Sequence, residues 1–170
     1  MEIRNKVAES GIITIDLESF LPTDEIIELD IKAMLFQGLL LKEKDFRETL
    51  KKTDWSVYAN KTVALFCSTD AIIPQWAYML LTYYLLTVTA KIYFGTKENV
   101  ECDLLLENIN NTDATKYAGQ KVVIKGCGTK QIPSGAYVAI SKKLIPHVQS
   151  LMFGEPCSTV PVYKQKKETL

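Results

Sequence analysis

Three of the four cysteines head the same short pattern. Cys67-Ser68-Thr69, Cys127-Gly128-Thr129 and Cys157-Ser158-Thr159 each place a thiol, a small residue and a threonine in a row, with Pro74, Pro133 and Pro161 following. Thiolates are the soft ligands that zinc, Cu(I) and iron–sulfur clusters prefer, and a thiolate can also relay sulfur. Cys67, Cys127 and Cys157 are therefore candidate metal ligands, and zinc or an iron–sulfur cluster is the cofactor this chemistry would take. Ser68, Thr69, Asp70, Thr129, Glu155 and Ser158 travel with them as candidate cofactor-binding residues. Asp70, Glu155 and the single histidine, His147, are candidate further ligands. The same cysteines also read as small apolar side chains in tight turns, and no C-x-x-C pair decides between the two readings. Cys102 has no triplet around it and reads as helix packing.

Other chemistries find less. Cys67 is the candidate nucleophile for covalent catalysis, but no base accompanies it in the sequence. One histidine and no G-x-S-x-G argue against Ser68 as a hydrolase serine. The loops Cys67–Pro74 and Cys127–Pro133 lack an arginine to clamp phosphate, and there is neither G-x-G-x-x-G nor Walker A. The expectation leans away from an enzyme.

Composition narrows the setting. Twenty basic and twenty acidic side chains cancel across 170 residues, so no global field draws in nucleic acid. The basic residues of the 164–170 tail read as a solvated end. Met1 to Lys6 lacks the apolar core of an export signal, so a cytoplasmic location and reduced thiols are expected. Ala71–Ala90 is uncharged over the length of a membrane span. Pro74, Gln75 and three threonines favour a buried or partner-facing helix instead, and no membrane association is expected.

The elements that would position the cysteines repeat. Asp54-Trp55-Ser56-Val57-Tyr58-Ala59 and Asp113-Ala114-Thr115-Lys116-Tyr117-Ala118 lie 59 residues apart, as do Pro74 and Pro133, Tyr78 and Tyr137, and Phe94-Gly95 and Phe153-Gly154. This spacing reads as an internal duplication of a strand–helix unit, about 36–95 and 94–154, within a single domain 1–163. Gly11–Leu17 and Glu25–Ile31 alternate apolar and acidic residues, and Pro22-Thr23-Asp24 between them predicts an N-terminal β-hairpin. Ala33–Phe36 reads as a buried strand. Helices are expected over Lys44–Lys52, Gln75–Val88 and Glu98–Ile109, with strands Thr62–Phe66 and Lys91–Phe94. Strands alternating with helices predict an α/β fold of three layers with a mostly parallel sheet. The cysteine loops then gather at the carboxyl rim of the sheet, where such folds bind ligands.

Lys6-Val7-Ala8-Glu9-Ser10-Gly11-Ile12-Ile13, Leu41-Lys42-Glu43-Lys44-Asp45-Phe46-Arg47, Cys67 to Met79 and Gly154 to Tyr163 resemble a bacterial family of unknown function, numbered 2480. The likeness covers nearly the whole chain. That family carries no established activity, and the nearness of its genes to iron–sulfur assembly genes implies iron–sulfur assembly proteins as partners. Two functions are therefore expected. One is a cytoplasmic accessory protein that binds a metal or iron–sulfur cluster, or relays sulfur, through Cys67, Cys127 and Cys157. The other is a non-catalytic module that forms a homo-oligomer, or docks a partner, through the apolar helix Gln75–Val88, with structural cysteines.

Overall fold

A computed structural model describes residues 11–126, 128–155 and 158–166. The chain divides into two compact units. Of the described residues, the first holds those from Gly11 to Pro22 and those from Asp103 onward, and the second is Thr23–Cys102. In chain order the elements are β1 (Ile12–Ile15), β2 (Ile26–Asp30), α1 (Glu43–Lys52), β3 (Thr62–Phe66), α2 (Gln75–Leu85) and β4 (Ile92–Phe94), then α3 (Lys97–Asn111), β5 (Lys121–Ile124), α4 (Ser134–Leu144), β6 (Ser150–Glu155) and β7 (Ser158–Lys164). The fold is mixed α/β, and its strands pair mostly in parallel.

The second unit is ordered β2-β3-β4, all parallel. Thr62, Val63, Ala64 and Leu65 of the central strand are all buried, the pattern of a strand covered on both faces. Leu29 of β2, Val63 and Leu65 of β3, Phe46 and Leu50 of α1, and Ala77, Leu81 and Leu85 of α2 form one core. The spacing of four puts Phe46 over Leu50, and Ala77, Leu81 and Leu85 on a single helix stripe. Acidic residues open α1 and Lys51 and Lys52 close it, matching the helix dipole. Trp55 stacks on Tyr84 at 5.4 Å while its ring nitrogen donates to Leu50 O at 3.0 Å.

The first unit is ordered β1-β5-β6-β7, with β1, β5 and β6 parallel and β7 antiparallel at the edge. Val122, Val123 and Ile124 of β5 are buried. Ile15, Val122, Ile124 and Leu151 pack with Leu105 and Ile109 of α3 and with Ala136, Ile140 and Leu144 of α4. The edge position of β7 is what tolerates Pro161, since a proline cannot donate to a second neighbour.

Two local expectations are corrected. β1 and β2 do not form a hairpin; they belong to different sheets, each pairing in parallel with β5 and β3 respectively. The segment between them contains a 3-10 turn in place of a tight hairpin loop, and a similar turn follows β2. Asp16 accepts from Glu18 N at 2.9 Å and Asp30 from Lys32 N at 3.0 Å, and each carboxylate thereby starts a 3-10 turn, Leu17–Phe20 and Ile31–Met34. Ala33–Phe36 is accordingly not a buried strand. It is the end of that second turn, followed by a single bridge from Phe36 to Leu40 around Gln37 and Gly38, both at positive φ. Pro74 and Pro133 occupy the N-cap, one residue before α2 and α4, and their carbonyls accept from Ala77 N and Ala136 N.

Leu81→Ala, deep in the second unit's core, is expected to cost about 2–5 kcal/mol in urea unfolding. Met79→Ala, at 73% exposure on the same helix, is expected to stay within about 0.5 kcal/mol. Equal costs would show that α2 does not bury the Leu81 face.

Candidate functional site

In each unit the carboxyl ends of the strands are held together by an aspartate from the outer strand. In the second unit, Asp30 at the end of β2 reaches the loop after β3. Ser68 donates to it twice, from its amide at 3.0 Å and from its hydroxyl at 2.5 Å. Burial opposes ionisation of Asp30, but the Ser68 hydroxyl and the Lys32 and Ser68 amides overcome it and lower its pKa. Cys67, the residue after β3, is a half-buried free thiol that packs on the unit's core and points Sγ at Thr69 O, 3.5 Å away. That contact uses the S–H as a weak donor. Asp70 follows in the same loop and is exposed.

In the first unit the equivalent edge is more heavily charged. Lys125, just past β5, donates to Asp16 at 2.8 Å, with both side chains about a third exposed. That bond, helped by the Glu18 amide, lowers the Asp16 pKa, and it raises the Lys125 pKa in turn. Glu18, two residues after Asp16 and within the turn it caps, accepts from Lys130 N at 2.6 Å and from the Thr129 hydroxyl at 3.1 Å. The Lys130 amide is the main cause that lowers its pKa. Asp16, Glu18, Lys125, Gly126, Gly128 and Lys130 line a polar cavity of about 250 Å³ beside the start of α4.

These contacts tie the residues after β5 to the end of β1. A carboxylate whose pKa is lowered is a poor general acid near neutrality, and a lysine kept charged is no nucleophile. The glycine at 128 has a local reason: a Cβ there would lie 2.8 Å from Glu18 Cδ. A side chain at 128 would therefore require the Glu18 carboxylate to shift from its present position.

The structure brings Cys67, Ser68, Thr69 and Asp70 into one loop of the second unit, and Thr129 into the rim of the first. Glu155 ends β6 and pairs in register with Ser158, the first residue of β7. Cys127 and Cys157 lie outside the described residues. Among the described residues no group of three or more His, Cys, Asp or Glu side chains is placed to hold a metal ion. Cys102 is half-buried within α3, and His147 is exposed after α4. No helix among the described residues is long and apolar enough to cross a membrane. Sequence reasoning missed Asp16, Glu18, Lys125 and Asp30. The signal available was the shared ending of the first two strands, Ile-Thr-Ile-Asp-Leu-Glu and Ile-Glu-Leu-Asp-Ile-Lys, in which an aspartate closes each period-two run.

A family model described as "Protein of unknown function (DUF2480)" matches residues 1–165. No curated protein and no solved structure matches the chain.

Gly128→Ala is expected to lower the urea midpoint by pushing the Glu18 carboxylate off Lys130 N and Thr129. The same substitution in a Glu18→Ala background should cost much less, and strictly additive midpoints would count against this contact. Acid should act at the same place. Asp16, Glu18 and Asp30 have folded pKa values below their unfolded ones. Their contribution is present above the unfolded carboxylate value of about 4 and is lost as pH falls through the folded values. Urea midpoints measured from pH 6 to pH 2 should drop from about pH 4 downward, and less steeply in Asp16→Asn.

Proposed function

The chain belongs to the DUF2480 family, and from that premise we propose that it is a non-catalytic interaction module that self-associates through the outer face of α2. The observation that carries the reading is the exposure of Met79 (73%), Tyr83 (66%) and Leu86 (59%), which lie along one side of the helix, opposite buried Ala77, Leu81 and Leu85. An exposed apolar helix stripe of this kind marks a contact surface. Ala71–Ala90 carries no charge. A surface without charge is compatible with a copy of itself, which a twofold interface requires, and methionine and tyrosine are enriched at interface centres. The comparison within the chain is informative. Position 142 on α4, 59 residues after Tyr83, is an exposed lysine. The common spacing of 59 also supports reading the two units as products of one duplication: Val63↔Ile92 and Val122↔Leu151 are equivalent pairings, and Gly95 and Gly154 share positive φ. On α4 the equivalents of Met79 and Leu86 are Val138, 68% exposed, and Ile145, so the two helix faces differ chiefly in that Lys142 stands where α2 has Tyr83.

A second reading is thiolate chemistry, with iron–sulfur assembly proteins as partners. It is favoured by the place of Cys67 directly after the central strand β3, at the carboxyl rim. The thiolates the sequence offers to zinc or an iron–sulfur cluster are Cys67, Cys127 and Cys157.

Sedimentation velocity at tens of micromolar separates the readings. The wild type is expected as a dimer and Met79→Glu/Tyr83→Glu as a folded monomer, verified by circular dichroism. A monomeric wild type would end the first reading. Metal and acid-labile sulfide, measured on protein purified without oxygen, decide the second: near-stoichiometric iron or zinc that is lost in Cys157→Ser establishes ligation, and metal-free protein removes it.

A further inference from the structure

The two sheets differ at one edge. In each, an outer strand, a central strand and a third strand run parallel, with Val63↔Ile92 in one sheet and Val122↔Leu151 in the other. In the first unit the third strand, β6, is covered along its outer edge by antiparallel β7. In the second unit β4 is the last strand. Resting on the self-association put forward above, we propose that β4 of a second copy covers this edge. The two β4 strands pair antiparallel about a twofold axis at Tyr93 and join two three-stranded sheets into one continuous sheet.

The backbone is already set for this pairing. Val63 N donates to Lys91 O at 2.8 Å, and Gly95 N donates to Leu65 O at 2.9 Å. Alternate residues of a parallel strand turn their polar groups to the same neighbour, so Lys91, Tyr93 and Gly95 face β3 while Ile92 and Phe94 face outward. Among the described residues the outward backbone groups of Ile92 and Phe94 meet no hydrogen-bond partner. With the axis at Tyr93, Ile92 lies opposite Phe94 of the second copy, and such a pair exchanges both N–H···O bonds. The same register sets Lys91 opposite Gly95 and Thr89 opposite Lys97, so no like charges meet.

The side chains favour the same cover. Phe94 is 70% exposed although its ring meets Tyr78 edge to face at 5.4 Å. Phe153 of β6 meets Tyr137 in the same manner at 5.8 Å, lies opposite Val160 of β7 and is 38% exposed. In the proposed register Ile92 of the second copy stands to Phe94 as Val160 stands to Phe153, an aromatic and β-branched cross-strand pair. Free edges are commonly blunted by charge or proline. β7, the last strand of its own sheet, carries Pro161 and Lys164, whereas β4 is Ile-Tyr-Phe. Three strand residues are a short contact, and the apolar α2 face next to Tyr78 supplies the further area a stable interface needs. Paired side chains share a face, so the two α2 helices come to the same side of the joined sheet and flank the junction.

Amide hydrogen exchange on the full-length chain tests the pairing, with the Met79→Glu/Tyr83→Glu variant as the monomeric reference. Normalised to the Val122 amide, the Ile92 and Phe94 amides are expected to exchange about tenfold more slowly in the wild-type dimer. Tyr93→Cys sets a thiol at the axis, where opposed Cα atoms lie about 4.5 Å apart, within disulfide reach. Mild oxidation should then link two chains through the introduced thiols, as mapped by peptide mass spectrometry. If that variant fails to fold, exchange alone decides. A wild-type dimer whose Ile92 and Phe94 amides exchange as in the variant would overturn the edge pairing and leave the α2 reading standing. A monomeric wild type overturns both. Slowed exchange without the interchain disulfide in folded Tyr93→Cys overturns the axis at Tyr93.

Discussion

β3 and β5 have side chains buried on both faces, and this double burial is the constraint on which the other features rest. A strand covered on two sides needs a hydrogen-bonded neighbour at each edge and helices to exclude water. Parallel neighbours cannot be supplied by tight turns. Each central strand is therefore followed by a helix and then by a parallel partner, β4 or β6. Each also takes its other partner from the amino-terminal residues, β2 or β1. The rim chemistry follows from this: Asp30 and Asp16 stand at the ends of those outer strands, within reach of the residues that follow the central strand.

The two rims solve the same problem with different strengths. At Asp30 a serine supplies both donors, and the contact is neutral to charged. At Asp16 the partner is a lysine, and Glu18 adds a second carboxylate that gathers the amide of Lys130 and the hydroxyl of Thr129. A carboxylate satisfied in this way by its own chain fixes a loop conformation that would otherwise depend on weak local preferences. The acidic residues visible in the first strands are thus structural fasteners, whose sequence signature resembles that of ligand-binding groups.

Much of the α/β pattern was legible because it depends on periodicity. The apolar runs at β3 and β5, the spacing of four in α1 and α2, and the matched Pro-x-x-Ala-Tyr starts of the two helices all appear in the sequence and in the structure. What was not legible is partner choice. Gly11–Leu17 and Glu25–Ile31 have the composition of adjacent antiparallel strands, and local chemistry cannot announce that each pairs with a strand far along the chain. β7 went unread because Pro161 argues against a strand unless its edge position is known. The cysteine triplets drew attention because of their rarity, yet the described one, Cys67, forms its contacts within its own loop and core. The rim instead relies on aspartate and glutamate, whose ordinary abundance hides them.

The pairing of Ile12 with Lys121 carries a consequence for how the chain is made. During synthesis β1 leaves the ribosome first but has no partner until β5 emerges, while every strand of the second unit lies between them. At roughly 5–20 residues per second that wait lasts several seconds or more, longer than the time in which small domains generally fold. The intervening unit can complete itself while β1 still dangles as an unpaired, alternating apolar strand. Closing the remaining gap then spans a loop of roughly 100 residues, but entropy grows only logarithmically with length, and a folded insert behaves as a shorter tether. β1 therefore finds its place only after β2, β3 and β4 have been made, and the period of greatest vulnerability to mispairing belongs to the nascent chain rather than to the finished protein.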